Sequence, residues 1–171
     1  MLQIEDYLKA GSIAGEVREN VRRKDWISST LEDICEYVES EIIKRGAKCA
    51  FPVNTSLNEI AAHYTAEPND PKTVSDTDLI KIDLGAQING YIADTAVTVN
   101  YDPQYDLLVQ TAEDALQSAM SMIKVGVKSK DVGRKIQTTI MDAGLKPIAN
   151  LSGHSLDQYT IHAGKTVPNM W

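Results

Sequence analysis

A chain of 171 residues, 43% of them hydrophobic, is long enough to fold as one domain around a sizeable core. Its 17 basic and 24 acidic residues leave a net charge of -7, so no basic excess exists to release counterions from a phosphate backbone or to grip an anionic membrane. Specific nucleic-acid binding is therefore excluded, as is a helical membrane span, because no run of about 18 apolar residues occurs.

The amino terminus, MLQIEDYLKAGSIAGEV, mixes acids with small residues and lacks the basic and apolar regions of a secretory signal. Residues 3 to 24 carry Ile4, Leu8, Ala14, Val17 and Val21 at helical spacing, which predicts an amphipathic helix weakened by Gly11 and Gly15. From 30 to 45, Leu31, Ile34, Cys35, Val38, Ile42 and Ile43 form one stripe, with Thr30 as cap and Gly46 as stop. AKCAFPV at 47 to 53 reads as a short strand ended by Pro52, and 54 to 78 as a polar loop. Cys35 and Cys49 fall in a helix and a strand, away from any close Cys/His cluster. Without a secretory signal they are expected to be reduced, in a cytoplasmic protein.

Two strands follow in IKIDLGAQINGYIADTAVTV. Asp102 and Pro103 then start a helix with Leu107, Leu108, Thr111, Ala115, Ala119, Met122 and Ile123 inward. Ser129 caps another, ended by Gly144, with Val132, Ile136 and Ile140 inward. The order α-α-β-β-β-α-α predicts an α+β fold with helices packed on one face of an antiparallel sheet. The segment from 150 onward has few helix signals and holds two of the three histidines.

Asn89-Gly90 between apolar runs predicts a two-residue type I′ hairpin turn. That turn pairs Ile88 with Tyr91, sets Asp83 opposite Ala96 and Asp94 opposite Gly85, and points both carboxylates to one side as diagonal neighbours, roughly 7–8 Å apart at Cα. Two anions on a buried face require a cation between them, whether lysine, arginine or metal. Lys81 has the right parity to pair with Asp83. A strand-end ion pair or solvated aspartates would explain the residues equally well. His63, His154 and His162 all have small neighbours that let a ligand approach, and imidazole with carboxylate suits a first-row divalent metal, or two such ions about 3.5–4 Å apart.

The phrases FPVNTSLNEIAAHYTAEPND, KIDLGAQINGYIADTAVTV and NLSGHSLDQYTIHAGKTVPN resemble the type II methionine aminopeptidases, pita-bread metallopeptidases, over about residue 3 to the last residue. The lack of a basic N-terminal extension looks archaeal. The resemblance implies two divalent metal ions (Co, Mn, Fe or Zn), with Asp83 chelating one, Asp94 bridging both and His154 as a further ligand. It implies that His63 and His162 contact the substrate amine and scissile carbonyl, and that Phe51 and Ile161 line a methionine pocket. The activity implied is removal of initiator methionine from the N-terminal methionyl peptides of nascent proteins.

Two glutamate ligands of that family would lie beyond Trp171. The expectation is therefore a single catalytic-type domain over 1–171, truncated about midway through the fold. Alone it would bind metal weakly, have little or no activity, and associate with a complementing chain or itself. A non-catalytic pita-bread binding module, acting as a chaperone or ribosome-associated factor, is the alternative. A proline-specific peptidase of the same fold is a third reading, less favoured by the flanking sequences.

Overall fold

A computed structural model describes residues 4–171. The chain forms two compact units, one from the residues up to Pro103 with Asp157–Ile161, the other from Gln104–Leu156 with His162–Trp171.

In the first unit, α1 (Ile4–Arg23) buries Ala10, Ile13, Ala14, Val17 and Val21, which recur at the three- and four-residue steps of one helix face. The expected stripe is shifted at its start: Ile4 and Leu8 are exposed, and Ala10 and Ile13 take their place. Helix α2 (Leu31–Lys44) begins with a capping box in which Thr30 accepts from the Asp33 N–H and the Asp33 carboxylate accepts from the Thr30 N–H. Both satisfy backbone donors that a helix start leaves open. Gly46, at φ 82°, follows the last turn as expected, whereas Ile43 points to solvent.

The sheet is antiparallel. Strand β3 (Leu79–Ile88) lies at its centre, with β4 (Tyr91–Asn100) along one edge and the short strands β1 (Lys48–Cys49) and β2 (Asn54–Leu57) along the other. The hairpin has the expected register, Ile88 opposite Tyr91, and Asn89 and Gly90 both take positive φ, 51° and 86°. Ile80, Ile82, Leu84 and Ala86 alternate onto the face covered by α1 and α2, where they join Val17, Val21, Trp26, Leu31, Val38 and Ile42 in one core. Each large aliphatic side chain there contributes about 1.5–3 kcal/mol of burial.

Strand β2 departs from the expected loop. Asn54–Leu57 is polar, yet Thr55 and Ser56 are buried. Thr55 N–H donates to the Tyr64 carbonyl at 2.6 Å, and Ser56 Oγ accepts from the Tyr64 N–H at 3.3 Å. Pairing with β3 and Tyr64 supplies what composition does not. The strand expected over 47–53 shrinks to β1, with Pro52 outside it.

A 3-10 turn at Pro103–Tyr105 precedes α3 (Asp106–Met122), the first helix of the second unit, so Asp102 does not cap the α-helix. Thr111, Ala115 and Ala119 are its buried residues; Leu107, Leu108 and Ile123, expected inward, are exposed. Helix α4 (Ser129–Asp142) has Lys128 at its cap position, so Ser129 is its first residue, and it buries Val132. The last segment forms a small antiparallel hairpin, β5 (Ser152–His154) with β6 (Thr166–Pro168). No described helix is long and apolar enough to cross a membrane.

Candidate active site

Because successive strand residues face opposite sides, giving Ile80, Ile82 and Leu84 to the core turns Lys81, Asp83, Gly85 and Gln87 to the other face. On β4 the partners of these residues are Thr98, Ala96, Asp94 and Ile92 in the same order. Asp83 thus lies between Ala96 on one side and Asn54 of β2 on the other, and Asp94 lies opposite Gly85. The two carboxylates are on one face, diagonal and half-buried. Lys81, the cation with the matching parity, donates its Nζ to the Asn58 carbonyl at 2.6 Å. Burial pushes its amine down to about 8, against a pull upward from Glu59.

Phe51 joins this face through Gly85. The Ala50 N–H donates to the Gly85 carbonyl at 2.8 Å, and the Phe51 ring then occupies the space that a Cβ on Gly85 would fill. Since that Cβ direction is the carboxylate face, the ring lies beside the aspartates. One rung further along, Gln87 and Ile92 help line a cleft of about 130 Å³ with Ala50, Gly90, Tyr159 and Ile161. Ile161 is held there by its neighbours: the Tyr159 N–H donates to the Gly90 carbonyl at 2.8 Å, Gln158 Nε2 donates to the Asn89 carbonyl at 2.8 Å, and the Tyr159 ring fills the space beside Gly90 that a side chain would need.

His63 is exposed, in the loop after β2, with φ at 67°. The next residue, Tyr64, donates its hydroxyl to Asp70 and accepts from Lys72 Nζ. That hydrogen bond from Tyr64 is the main reason the Asp70 carboxyl lies below the usual range, and the same hydroxyl raises the Lys72 amine.

In the second unit, His154 closes β5 opposite Thr166, and its ring centroid is 4.3 Å from that of His162. The loop between them is closed by the Ser155 N–H to the Lys165 carbonyl at 2.9 Å and the Ala163 N–H to the Ser155 carbonyl at 2.8 Å.

The structure therefore brings together Asp83, Asp94, Phe51 and Ile161 on one side of the first unit's sheet and hairpin, and His154 with His162 in the second unit. His63 sits on its own loop in the first unit. Among the described residues no group of three or more His, Cys, Asp or Glu forms a metal cage. Tyr64, Asp70, Gly85 and Tyr159 are absent from the sequence-based set. Only Gly85 carried a signal, as the small residue opposite Asp94.

The model of metallopeptidase family M24 matches residues 5–170. The chain belongs to that family. A methionine aminopeptidase of Methanothermus fervidus is 39% identical over 180 residues, spanning 98% of this chain and 96% of that protein. One from Pyrococcus abyssi is 45% identical over 170 residues, 99% of this chain and 58% of its own length. The chain thus spans little more than half of that longer M24 relative. Among solved structures, the methionine aminopeptidase of Thermotoga maritima superposes with a TM-score of 0.89 at 28% identity, covering 98% of this chain and 71% of the other. The pita-bread M24 fold expected from the motifs is the fold found.

Proposed function

We propose that this M24 chain carries the first part of a metal-dependent aminopeptidase that removes initiator methionine from the N-terminal methionyl peptides of nascent proteins. The carrying observation is the hairpin register, which sets Asp83 and Asp94 diagonally on one sheet face beside the ring of Phe51. Carboxylate oxygens and imidazole nitrogens are donors that suit a pair of first-row divalent cations, so Asp83, Asp94 and His154 are the residues that would hold them. When bound, such ions supply a water acidified near neutral pH and a positive centre for the developing oxyanion.

The chain's own residues do the rest. Phe51 and Ile161 give the methionine side chain an apolar seat. The cleft beside them, about 130 Å³, is well below the roughly 300 Å³ at which sites for drug-sized ligands begin, which favours a single side chain. His63 and His162 hydrogen-bond the terminal residue's amine and first carbonyl, orienting the scissile bond. Metal retention and turnover are completed by a complementing segment or a second copy of the chain.

The test is twofold. Calorimetric titration with Mn²⁺ should give weak binding that Asp94→Asn removes. Methionine release from Met-Ala-Ser should appear when the chain is supplied with the segment by which the longer relatives exceed it, and vanish in Asp94→Asn. A variant that keeps full activity overturns the reading.

A further inference from the structure

His63 has a left-handed backbone, φ 67°, in a loop that runs from Asn58 to Asp78 with no helix or strand of its own. Such a conformation costs energy in a residue other than glycine and persists where the surroundings over-determine it, often at functional positions. The surroundings here converge on the next residue.

Tyr64 is held four ways. Its N–H donates to Ser56 Oγ and its carbonyl accepts from the Thr55 N–H. Its ring packs against the core, with Lys72 Nζ 4.5 Å from the ring centroid. Its hydroxyl bonds Asp70 and Lys72 together.

Those partners are themselves fastened. The Lys72 N–H donates to Asp70 Oδ1 at 3.0 Å, the Leu31 N–H donates to the Lys72 carbonyl at 3.0 Å, and the Asn69 N–H donates to Glu32 Oε2 at 2.9 Å. The far side of the loop is thereby tied to the first turn of α2. The near side is tied to β2, whose Asn54 pairs with Asp83.

We propose that Tyr64, clasped by Asp70 and Lys72, is a positioning residue that fixes His63 relative to the Asp83 strand. Its consequence for catalysis rests on the reading of His63 as a substrate-facing imidazole. The mount itself does not. With the hydroxyl clasped, residue 64 cannot rotate, and His63 keeps its turn. Without it, Tyr64 keeps its bonds to Thr55 and Ser56 and its packing against the core, but nothing ties its ring to Asp70 and Lys72 through the hydroxyl.

The test uses the full chain, isotope-labelled, as wild type, Tyr64→Phe and Asp70→Asn. In Tyr64→Phe the Thr55 amide should exchange roughly ten- to hundredfold faster, the effect of losing one hydrogen bond to a charged group. The His63 Cα and Cβ shifts should leave the values of a left-handed residue, while Ile82 and Leu84 amides exchange as before. Asp70→Asn keeps an acceptor oxygen and should recover most of the wild-type shifts. Unchanged His63 shifts in Tyr64→Phe overturn the proposal, and so does equal acceleration at Thr55 and Leu84, which would mean general destabilisation. Met-Ala-Ser turnover in His63→Ala, with the complementing segment present, tests the earlier reading alone, so the two can fail separately.

Discussion

The ring of Phe51 rests on Gly85, in the space a side chain there would take. That contact joins an apolar wall to the face bearing Asp83 and Asp94. Gly85→Ala should force the ring away or shift the strand, at a cost of about 1–3 kcal/mol, as overpacking of a tight contact does. Urea unfolding measures the loss. The same variant should weaken methionyl-peptide binding more than the stability loss explains, because the displaced ring belongs to the proposed seat.

The clasp around Tyr64 should respond to acid in a defined direction. Tyr64's hydrogen bond, then the Lys72 backbone N–H, hold the Asp70 carboxyl below its ordinary value. A lowered carboxylate pKa contributes stability that is present above the unfolded value of about 3.9 and is lost as pH falls through the folded one. Limited proteolysis of the 58–72 loop should therefore be slow from neutral pH down to about 4 and accelerate below that. In Asp70→Asn that extra acid sensitivity should disappear.

Thr30→Ala removes the oxygen that accepts from the Asp33 N–H and breaks the capping box. The expected loss is about 1 kcal/mol, read from chemical denaturation. It should shrink in acid, because Thr30 supplies the hydrogen bonds that lower the Asp33 pKa, and protonation of Asp33 removes the reciprocal half of the box.

What could be read in the chain beforehand was whatever depends on neighbours in sequence. Asn89-Gly90 dictated the turn, and the turn dictated that Asp83 and Asp94 share a face, because register and side-chain alternation leave no other outcome. Thr30 and Gly46 marked the ends of α2 for the same local reasons. Strand β2 was hidden because Thr55 and Ser56 are polar and become strand only through β3 and Tyr64. The inward sides of α3 were misjudged because Leu107, Leu108 and Ile123 fit a helical stripe while remaining exposed. Asp70 was one acid among several in a polar loop; its partner was settled by how the loop returns to α2, which no local pattern records.

Lys81 offers a last, independent check on the carboxylate face. Burial pushes its amine down to about 8, whereas an ordinary lysine titrates near 10.4. The unfolded chain then binds more protons than the folded one between those values, so this residue's contribution to stability should rise with pH across that window. At pH 8 close to half of Lys81 should be neutral, against well under a tenth of a lysine with the ordinary value. Limited acetylation at that pH, followed by peptide mapping, should therefore mark Lys81 early wherever reagent reaches the amine. A ¹³Cε titration that placed Lys81 near 10.4 would show that its amine, drawn to the Asn58 carbonyl, remains hydrated, and that this end of the face is open to water.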